Sequence, residues 1–247
     1  MEFQVKVLLL TFALTVVLSL IIVPILRRLK VGQIERNDGP QSHLKKQGTP
    51  TMGGIIIILS MCIVCVGLFL YYTKYRLEPT IAKNILPLLI TAVGFGLIGF
   101  IDDFKKLVLK NTKGLSPKAK MLGLLIIAVG YTLYLTKVLN IGTDIYIPFV
   151  KNSIVIPIWL YIPLAILVML ATTNAINLTD GIDGLSSSVT TIILTCLTVI
   201  AIIFDVKEVT LFGSALSGAC LGFLLFNLYP SKVMMGCLLY TSDAADD

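Results

Sequence analysis

The chain has 247 residues, of which 56% are hydrophobic and 14% are charged, and its formal net charge is +6. Its mean hydropathy of +0.93 means more apolar side chain than a soluble domain can bury, so the sequence predicts a polytopic membrane protein. The basic residues lie between the apolar runs, and no basic arm is interleaved with aromatic residues. This distribution argues against nucleic-acid binding and is typical of loops that set membrane topology.

Seven apolar runs approach or reach the length of about 20 residues that a helix needs to cross a bilayer. They predict an all-α bundle of transmembrane helices over residues 5–26, 52–72, 85–101, 119–136, 155–173, 185–204 and 209–229. Lysine and arginine are in excess after the first and third runs, so the loops after odd-numbered spans are expected in the cytoplasm and the N-terminus outside. Three polar motifs then fall on the cytoplasmic side.

The first motif is SHLKKQGTPTMGG, residues 42–54, which leads into the second span. Its glycines and proline predict a structured turn. Lys45 and Lys46 could reach a phosphate from this turn. The alternative is a basic topology signal followed by a helix start, with Thr51 as the helix cap.

The second motif places Asp102 and Asp103 at the end of the third span, with Lys105 and Lys106 directly behind them. Adjacent carboxylates repel each other unless a cation compensates their charge. Magnesium binds through one or two carboxylates together with substrate phosphates, so the pair is a candidate magnesium site. The alternative is a solvated helix end with ion pairs between Asp102 and the two lysines.

The start of the fourth span follows the same motif. Ser116 and Pro117 are typical of an N-cap and a first helical position. Lys118 and Lys120 then fall in the first helical turn, where the helix dipole disfavours cations. Their presence favours an anionic ligand nearby.

The third motif is TTNAINLTDGIDGLSSS, residues 172–188, and it contains no lysine or arginine. It carries two amides and two carboxylates, at Asn174, Asn177, Asp180 and Asp183. Ionisable groups at membrane depth favour a functional site over a purely structural turn. Gly181 and Gly184 allow the backbone to turn tightly around a ligand.

The three motifs together predict one site of carboxylates, amides and lysines at the bilayer surface. Acidic residues would hold a metal and lysines would hold phosphates, an arrangement suited to phosphoryl transfer. Because the site opens at the membrane plane, we expect one reactant to be a lipid and the other a soluble phosphorylated molecule.

Four stretches resemble the phospho-N-acetylmuramoyl-pentapeptide transferase (MraY) family: GTPTMGG, IDDFKK, KGLSPKAK and NAINLTDGIDGL. They also have the family's order along the chain and its side of the membrane. This family belongs to the polyprenyl-phosphate N-acetylhexosamine-1-phosphate transferase superfamily, and the resemblance covers roughly residues 20–236. It implies magnesium-dependent transfer of phospho-N-acetylmuramoyl-pentapeptide from its UDP donor to undecaprenyl phosphate, giving lipid I and UMP. It also implies a role in peptidoglycan synthesis, cell shape and cell division, a bacterial inner (plasma) membrane location and a homodimer.

The resemblance also implies roles for individual residues. Asp102 and Asp103 would be the catalytic and metal-binding pair, with Asp102 as the base that deprotonates the lipid phosphate; a covalent aspartyl intermediate is the alternative. The expected substrate-binding residues are Lys46, Thr51, Lys106, Lys120, Asn177, Asp180, Asp183 and Asn227. The lysines would contact phosphates, and the amides and acids would line the nucleotide and sugar site.

The chain also departs from the family pattern. The family has about ten spans, and the match ends at residues 233–236 before the tail CLLYTSDAADD. Cys237 stands where the family places a further metal-binding aspartate, and His43, the only histidine, is not part of the family's histidine cluster. We therefore expect an incomplete transferase domain over residues 1–236, an artefactual tail over 237–247 and no activity from this chain alone.

Three other readings remain open from the sequence. One is a sibling transferase that uses UDP-N-acetylglucosamine. Another is an ion-coupled transporter with intramembrane acids, although these acids lie at span ends and no inverted repeat is visible. The third is a membrane scaffold without catalytic activity.

Overall fold

The computed structural model describes residues 2–29, 49–107, 114–147 and 152–236. Seven helices in these ranges are each long and apolar enough to cross a membrane. They are α1 (Phe3–Arg28), α2 (Gly54–Lys74), α3 (Pro79–Leu107), α4 (Pro117–Leu133), α5 (Ile158–Thr179), α6 (Leu185–Ile203) and α7 (Lys207–Asn227). The predicted all-α membrane bundle of seven spans is confirmed for this part of the chain.

The chain divides into two units. The first comprises residues 1–115 and 176–247 and holds α1, α2, α3, α6, α7 and the last residues of α5. The second comprises residues 116–175 and holds α4 and most of α5. All three predicted motifs have residues in the first unit, so the site is described there.

In the first unit, α1 packs most extensively against α7. Their contact is close because glycines of α7 lie directly on the backbone of α1: a Cβ on Gly218 would overlap the carbonyl oxygen of Leu8. A Cβ on Gly222 would lie 2.8 Å from the carbonyl oxygen of Phe12. Small residues of this kind let helices approach in lipid, where van der Waals contact is a main source of association.

Hydroxyl side chains line the buried face of α1. Thr11, Thr15 and Ser19 are fully buried. The Thr11 hydroxyl donates to the carbonyl oxygen of Val7 at 2.8 Å, and the Thr15 hydroxyl donates to the carbonyl oxygen of Thr11 at the same distance. The Thr15 hydroxyl also lies 2.8 Å from the hydroxyl of Ser60 on α2. These bonds satisfy polar atoms that the hydrocarbon cannot.

The apolar core of this unit is formed by α1, α2, α3 and α7. Ile56, Cys65, Ile85 and Phe223 are all fully buried within it. Their helices alternate in direction along the chain, so the end of α3, the end of α7 and the start of α2 lie at the same end of the bundle. This end carries the polar motifs.

The second unit contains one feature that the sequence did not predict. After a π-helical turn, Tyr134–Val138, the strands β1 (Asp144–Ile147) and β2 (Asn152–Val155) form an antiparallel hairpin with Asp144 opposite Val155. Each strand has only four residues, too few for a periodic pattern to stand out beside the flanking spans.

The predicted N-cap of α4 is confirmed, because the Ser116 hydroxyl accepts from the Ala119 N–H at 3.2 Å.

Some predicted boundaries were too narrow. Helix α3 continues to Leu107, so Asp102 and Asp103 lie inside its last two turns instead of at its end. Helix α5 continues to Thr179, so Asn177 is helical. Thr51 as helix cap is wrong: the N-cap of α2 is Gly53, and no side chain caps it. Helices here outlast their apolar runs, because hydropathy marks the hydrocarbon boundary and not the end of helical hydrogen bonding.

We expect Gly218→Leu to lower the free energy of unfolding, because the new side chain must push α1 away from α7. Overpacking of this kind costs typically about 1–3 kcal/mol. The thermal midpoint in detergent measures the effect. Gly67→Leu is the matched control, since no atom lies within 4 Å of a Cβ at Gly67. Equal midpoints for the two variants would contradict the close α1–α7 contact.

Candidate functional site

The site lies at the end of the first unit where α3 and α7 finish and α2 and α6 begin. Residues 231–236, here called the clasp segment, follow α7 and contact all of these ends. The Met234 N–H donates to the carbonyl oxygen of Pro50 at 2.8 Å, and the Gly53 N–H donates back to the carbonyl oxygen of Met234 at 3.0 Å. The Gly54 N–H donates to the carbonyl oxygen of Met235 at 2.7 Å. The first motif is thereby fixed to the clasp segment by backbone bonds.

The two aspartates of the second motif are buried. Asp102 is 2% exposed and Asp103 is 7% exposed. The Leu115 N–H donates to Asp102 Oδ1 at 2.7 Å, which ties the carboxylate to the chain beyond α3. Buried carboxylates are costly without charge compensation or hydrogen bonds, so this pair is an expensive feature to keep at a helix end.

Gly236 brings the clasp segment against this pair. Its φ angle is 98°, a region that favours glycine. A Cβ at Gly236 would lie 2.7 Å from Asp103 Oδ2 and 2.5 Å from the Met52 backbone nitrogen. A side chain at this position would displace either the carboxylate or the first motif. Glycine therefore permits the approach of the two motifs at this point.

The third motif closes the other side of the site. Asn177 is 2% exposed and Asp180 is 1% exposed, and the Asp180 N–H donates to the carbonyl oxygen of Asn177 at 3.3 Å. The chain then turns at Gly184, whose φ angle is 72°, and enters α6. Asp183 Oδ2 accepts from the Ser231 N–H at 3.1 Å, so this loop is also bound to the clasp segment.

These contacts limit how far apart the two acidic clusters can be. Ser231 contacts Asp183, and Gly236 contacts Asp103. Five residues span at most about 18 Å when fully extended, less than the roughly 30 Å of a bilayer core. The two clusters therefore lie at the same end of the bundle, as the sequence predicted.

Asn227, the last residue of α7, is fully buried between the third motif and the clasp segment. Its Oδ1 accepts from the Gly184 N–H at 3.2 Å and from the Ser187 hydroxyl at 2.8 Å. Its Nδ2 donates to the carbonyl oxygen of Val233 at 3.0 Å. The side-chain amide thus bridges two segments that are separate in sequence.

The structure places the remaining predicted residues as follows. Thr51 is buried, 5% exposed, beside the paired residues of the first motif. Lys120 is 8% exposed in the first turn of α4, within the second unit. Lys46, Cys237 and the tail 237–247 lie outside the described residues, as does the side chain of Lys106. Ser187, Ser231 and Gly236 were not predicted as site residues, because their roles depend on contacts distant in sequence; only the serine run at the end of the third motif gave any signal.

A possible metal site must be judged on the acids alone. Within the described ranges, no three His, Cys, Asp or Glu side chains are grouped so as to hold a metal ion. Magnesium does not require such a group, because it keeps several waters and binds through one or two carboxylates plus substrate phosphates. The adjacent, buried Asp102 and Asp103 therefore fit a magnesium ion that is completed by a phosphorylated substrate.

An apolar groove of about 270 Å³ leads to the same aspartates. It runs along α3 from Leu89 to Asp103, about 21 Å at the helical rise, and α2 and Leu216 of α7 form its other walls. The α3 side of the groove includes three residues with small side chains or none, which leave space for the groove: Ala92, Gly96 and Gly99. Among the described residues, Asp103 is the one charged group that lines it.

Comparison with known proteins agrees with these motifs. The family model for glycosyl transferase family 4 matches residues 85–238, and signature 1 of phospho-N-acetylmuramoyl-pentapeptide-transferase matches residues 46–58. The first match includes the second and third motifs and the clasp segment; the second includes most of the first motif.

Several curated relatives carry the name phospho-N-acetylmuramoyl-pentapeptide-transferase. The protein of Acetivibrio thermocellus is 42% identical over 235 residues, which cover 94% of this chain and 68% of the relative. That of Halalkalibacterium halodurans is 43% identical over 229 residues, covering 93% and 68%. That of Bacillus subtilis strain 168 is 42% identical over 226 residues, covering 91% and 67%. The chain therefore belongs to the phospho-N-acetylmuramoyl-pentapeptide-transferase family.

Proposed function

We propose that this protein transfers phospho-N-acetylmuramoyl-pentapeptide from its UDP donor to undecaprenyl phosphate, releasing UMP and forming lipid I. The observation that carries the proposal is the meeting of the three motifs on the clasp segment, in a chain 42% identical to relatives named for this transfer over 94% of its length. The product is a lipid-linked precursor of peptidoglycan. The reaction is a phosphoryl transfer, for which positioning and charge neutralisation supply most of the rate.

The donor is assigned to the third motif and the lysines. Asn177, Asp180 and Asp183 line the sugar and nucleotide side, and Thr51 lies at the first motif. The lysines at positions 46 and 106 neutralise the diphosphate. A charge-assisted contact to phosphate is about twice as strong as a neutral hydrogen bond.

The acceptor is assigned to Asp102 and Asp103. Asp102 takes the proton from the lipid phosphate, whose oxygen then attacks the donor phosphorus as UMP leaves. A magnesium ion held by this pair would offset the negative charge of the reacting phosphates. The Leu115 N–H at Asp102 Oδ1 fixes the orientation of the proposed base.

The apolar groove supports a lipid acceptor. Its walls are hydrocarbon-like along α3, and it ends at Asp103. An acceptor with a polyprenyl chain would lay its first units in the groove and present its phosphate at the carboxylate end. The groove thus gives the acceptor a path from the membrane to the acids.

The location follows from the sequence and the family. We place the protein in a bacterial plasma membrane, with the site facing the cytoplasm and the N-terminus outside, because basic residues are in excess on the site's side. A homodimer is part of this proposal.

The rival functions differ in measurable ways. Ion-coupled transport is disfavoured because Asp102 and Asp103 lie in the last two turns of α3 and Asp180 and Asp183 follow the end of α5, away from the helix centres. A sibling transferase would share the site and differ in its donor. A scaffold would neither bind the donor nor release UMP.

Donor choice tests the proposal. The chain is assayed alone and as a chimaera of residues 1–236 with the remaining third of the Bacillus subtilis relative, because the match covers 67% of that relative. We expect UMP release from UDP-N-acetylmuramoyl-pentapeptide with undecaprenyl phosphate, and none from UDP-N-acetylglucosamine. The reverse preference would support the sibling enzyme, and ion flux into liposomes without UMP would support a transporter.

In the chimaera, we expect Asp102→Asn to lower turnover by roughly 10²–10⁴-fold, the range for loss of a general base. The amide oxygen can still accept from the Leu115 N–H, so expression and the thermal midpoint should not change. Asp205→Asn, in the exposed turn between α6 and α7, is the matched control and should retain full turnover. Near-normal turnover of Asp102→Asn would refute the role of the base.

In the chimaera, we expect Gly99→Trp to raise the KM for the lipid acceptor, with the donor KM unchanged, because the indole would fill the groove. No atom lies within 4 Å of a Cβ at Gly99, so the substitution need not move the helix. Gly67→Trp on α2 is the control, since it is equally open but does not line the groove. If both variants have wild-type acceptor kinetics, the acceptor chain does not lie there.

A further inference from the structure

We infer that Asn227 is a positioning residue: its amide sets where the acidic loop and the clasp segment lie relative to each other. As a role in catalysis, this inference rests on the proposed function. The family resemblance implies that Asn227 contacts substrate. The geometry instead points to action through the groups that it holds.

The first reason is burial with its hydrogen bonds made internally. Asn227 is fully buried. Its Oδ1 accepts from the Gly184 N–H and the Ser187 hydroxyl, and its Nδ2 donates to the carbonyl oxygen of Val233. One end of the amide faces two donors and the other faces an acceptor, so the oxygen and nitrogen are assigned by their surroundings. An aspartate at this position could accept hydrogen bonds as Oδ1 does, but it could not donate one as Nδ2 does.

The second reason is where the two ends lead. Gly184 and Ser187 begin α6, directly after Asp183. Val233 precedes Met234, which pairs with Pro50 and Gly53. A shift of the clasp segment therefore moves the first motif, and a shift of the α6 start moves the acidic loop. Asn227 is the side chain that couples both movements.

The third reason is the position of Gly236 at the end of the same segment. Because Gly236 lies against Asp103 Oδ2 and the Met52 backbone, the clasp segment also limits where Asp103 can be. The bond between Asp183 and Ser231 is a second link of the same kind. Asn227 and this link together fix the acceptor-side acid relative to the donor-side loop.

The Ser187 hydroxyl provides a separate way to weaken this arrangement. Ser187 is fully buried, and its hydroxyl donates to Asn227 Oδ1 at 2.8 Å. The Asn227 Nδ2 also donates to Met234 Sδ at 3.9 Å, so this side chain makes four hydrogen bonds. Ser187→Ala removes one of them and leaves the amide in place. Asn227→Asp keeps the acceptor but loses the bonds to Val233 and Met234. Asn227→Ala removes all four.

Hydrogen–deuterium exchange of the full chain in detergent tests the positions directly. We expect amide exchange at residues 180–188, 231–236 and 53–54 to rise about tenfold in Asn227→Ala and several-fold in Ser187→Ala, in line with one to a few lost hydrogen bonds. Exchange in α1 should not change. Asn84→Ala is the matched control: it removes the bond from Asn84 Nδ2 to Glu208 at 2.9 Å, at the other end of α3.

Three outcomes would overturn the inference. Unchanged exchange in both site variants would show that the amide does not hold these segments. A uniform rise throughout the chain would show only general destabilisation. A rise confined to 180–188 would show that the clasp segment is held without Asn227. Ser187→Ala keeps the test decisive if Asn227→Ala does not fold.

Kinetics on the chimaera described above separate the inference from the proposed function. We expect Ser187→Ala and Asn227→Asp to lower kcat about tenfold or more with little change in donor KM, because misplaced acids reduce transition-state stabilisation. A rise in donor KM at unchanged kcat would indicate direct substrate contact instead. If the unsubstituted chimaera releases no UMP but the expected local rise in exchange is observed, the proposed function is refuted and the coupling of the segments is supported.

Discussion

Backbone hydrogen bonds between residues 50–54 and the clasp segment are the interaction on which the site depends. Buried non-helical backbone has no access to water, so its N–H and C=O groups must be satisfied within the protein. Here two irregular stretches satisfy each other, from Met234 to Pro50 and from Gly53 to Met234. Because the stretches come from distant parts of the chain, their pairing brings the motifs together. The same hydrogen bonds therefore satisfy the backbone N–H and C=O groups and assemble the site.

The site concentrates costly features in a small region. Asp102, Asp103 and Asp180 are all buried at helix ends, and Met52 has a φ angle of 69°, which is unfavourable for a residue with a side chain. Such features lower stability and are kept where a ligand or reaction uses them. The remainder of the first unit is built differently, from apolar side chains and small residues between helices. Among the described residues of the first unit, the buried carboxylates all lie at the end that carries the motifs.

Most of the fold could be predicted from local sequence patterns. The features that were missed depend on contacts between residues far apart in the chain or on helix ends beyond the apolar runs. Hydropathy predicted the seven spans, and Ser116 with Pro117 predicted the start of α4, because both signals are local. The extension of α3 to Leu107 was missed, since helical hydrogen bonding continues beyond the apolar run. The clasp segment was missed because its bonds join residues far apart in the chain. The burial of Asn227 depends on the same long-range pairing.

The packing of α1 on α7 has a consequence for how the protein is made. Among the described helices, α1 is synthesised earliest and has its most extensive contact with α7, which is synthesised last, so this contact must await the intervening helices. Thr11 and Thr15 already donate to carbonyl oxygens of their own helix, and such bonds need no neighbour. Helix α1 can therefore remain in the hydrocarbon with these hydroxyls satisfied, and it gains its most extensive protein contact only after α7 has been inserted.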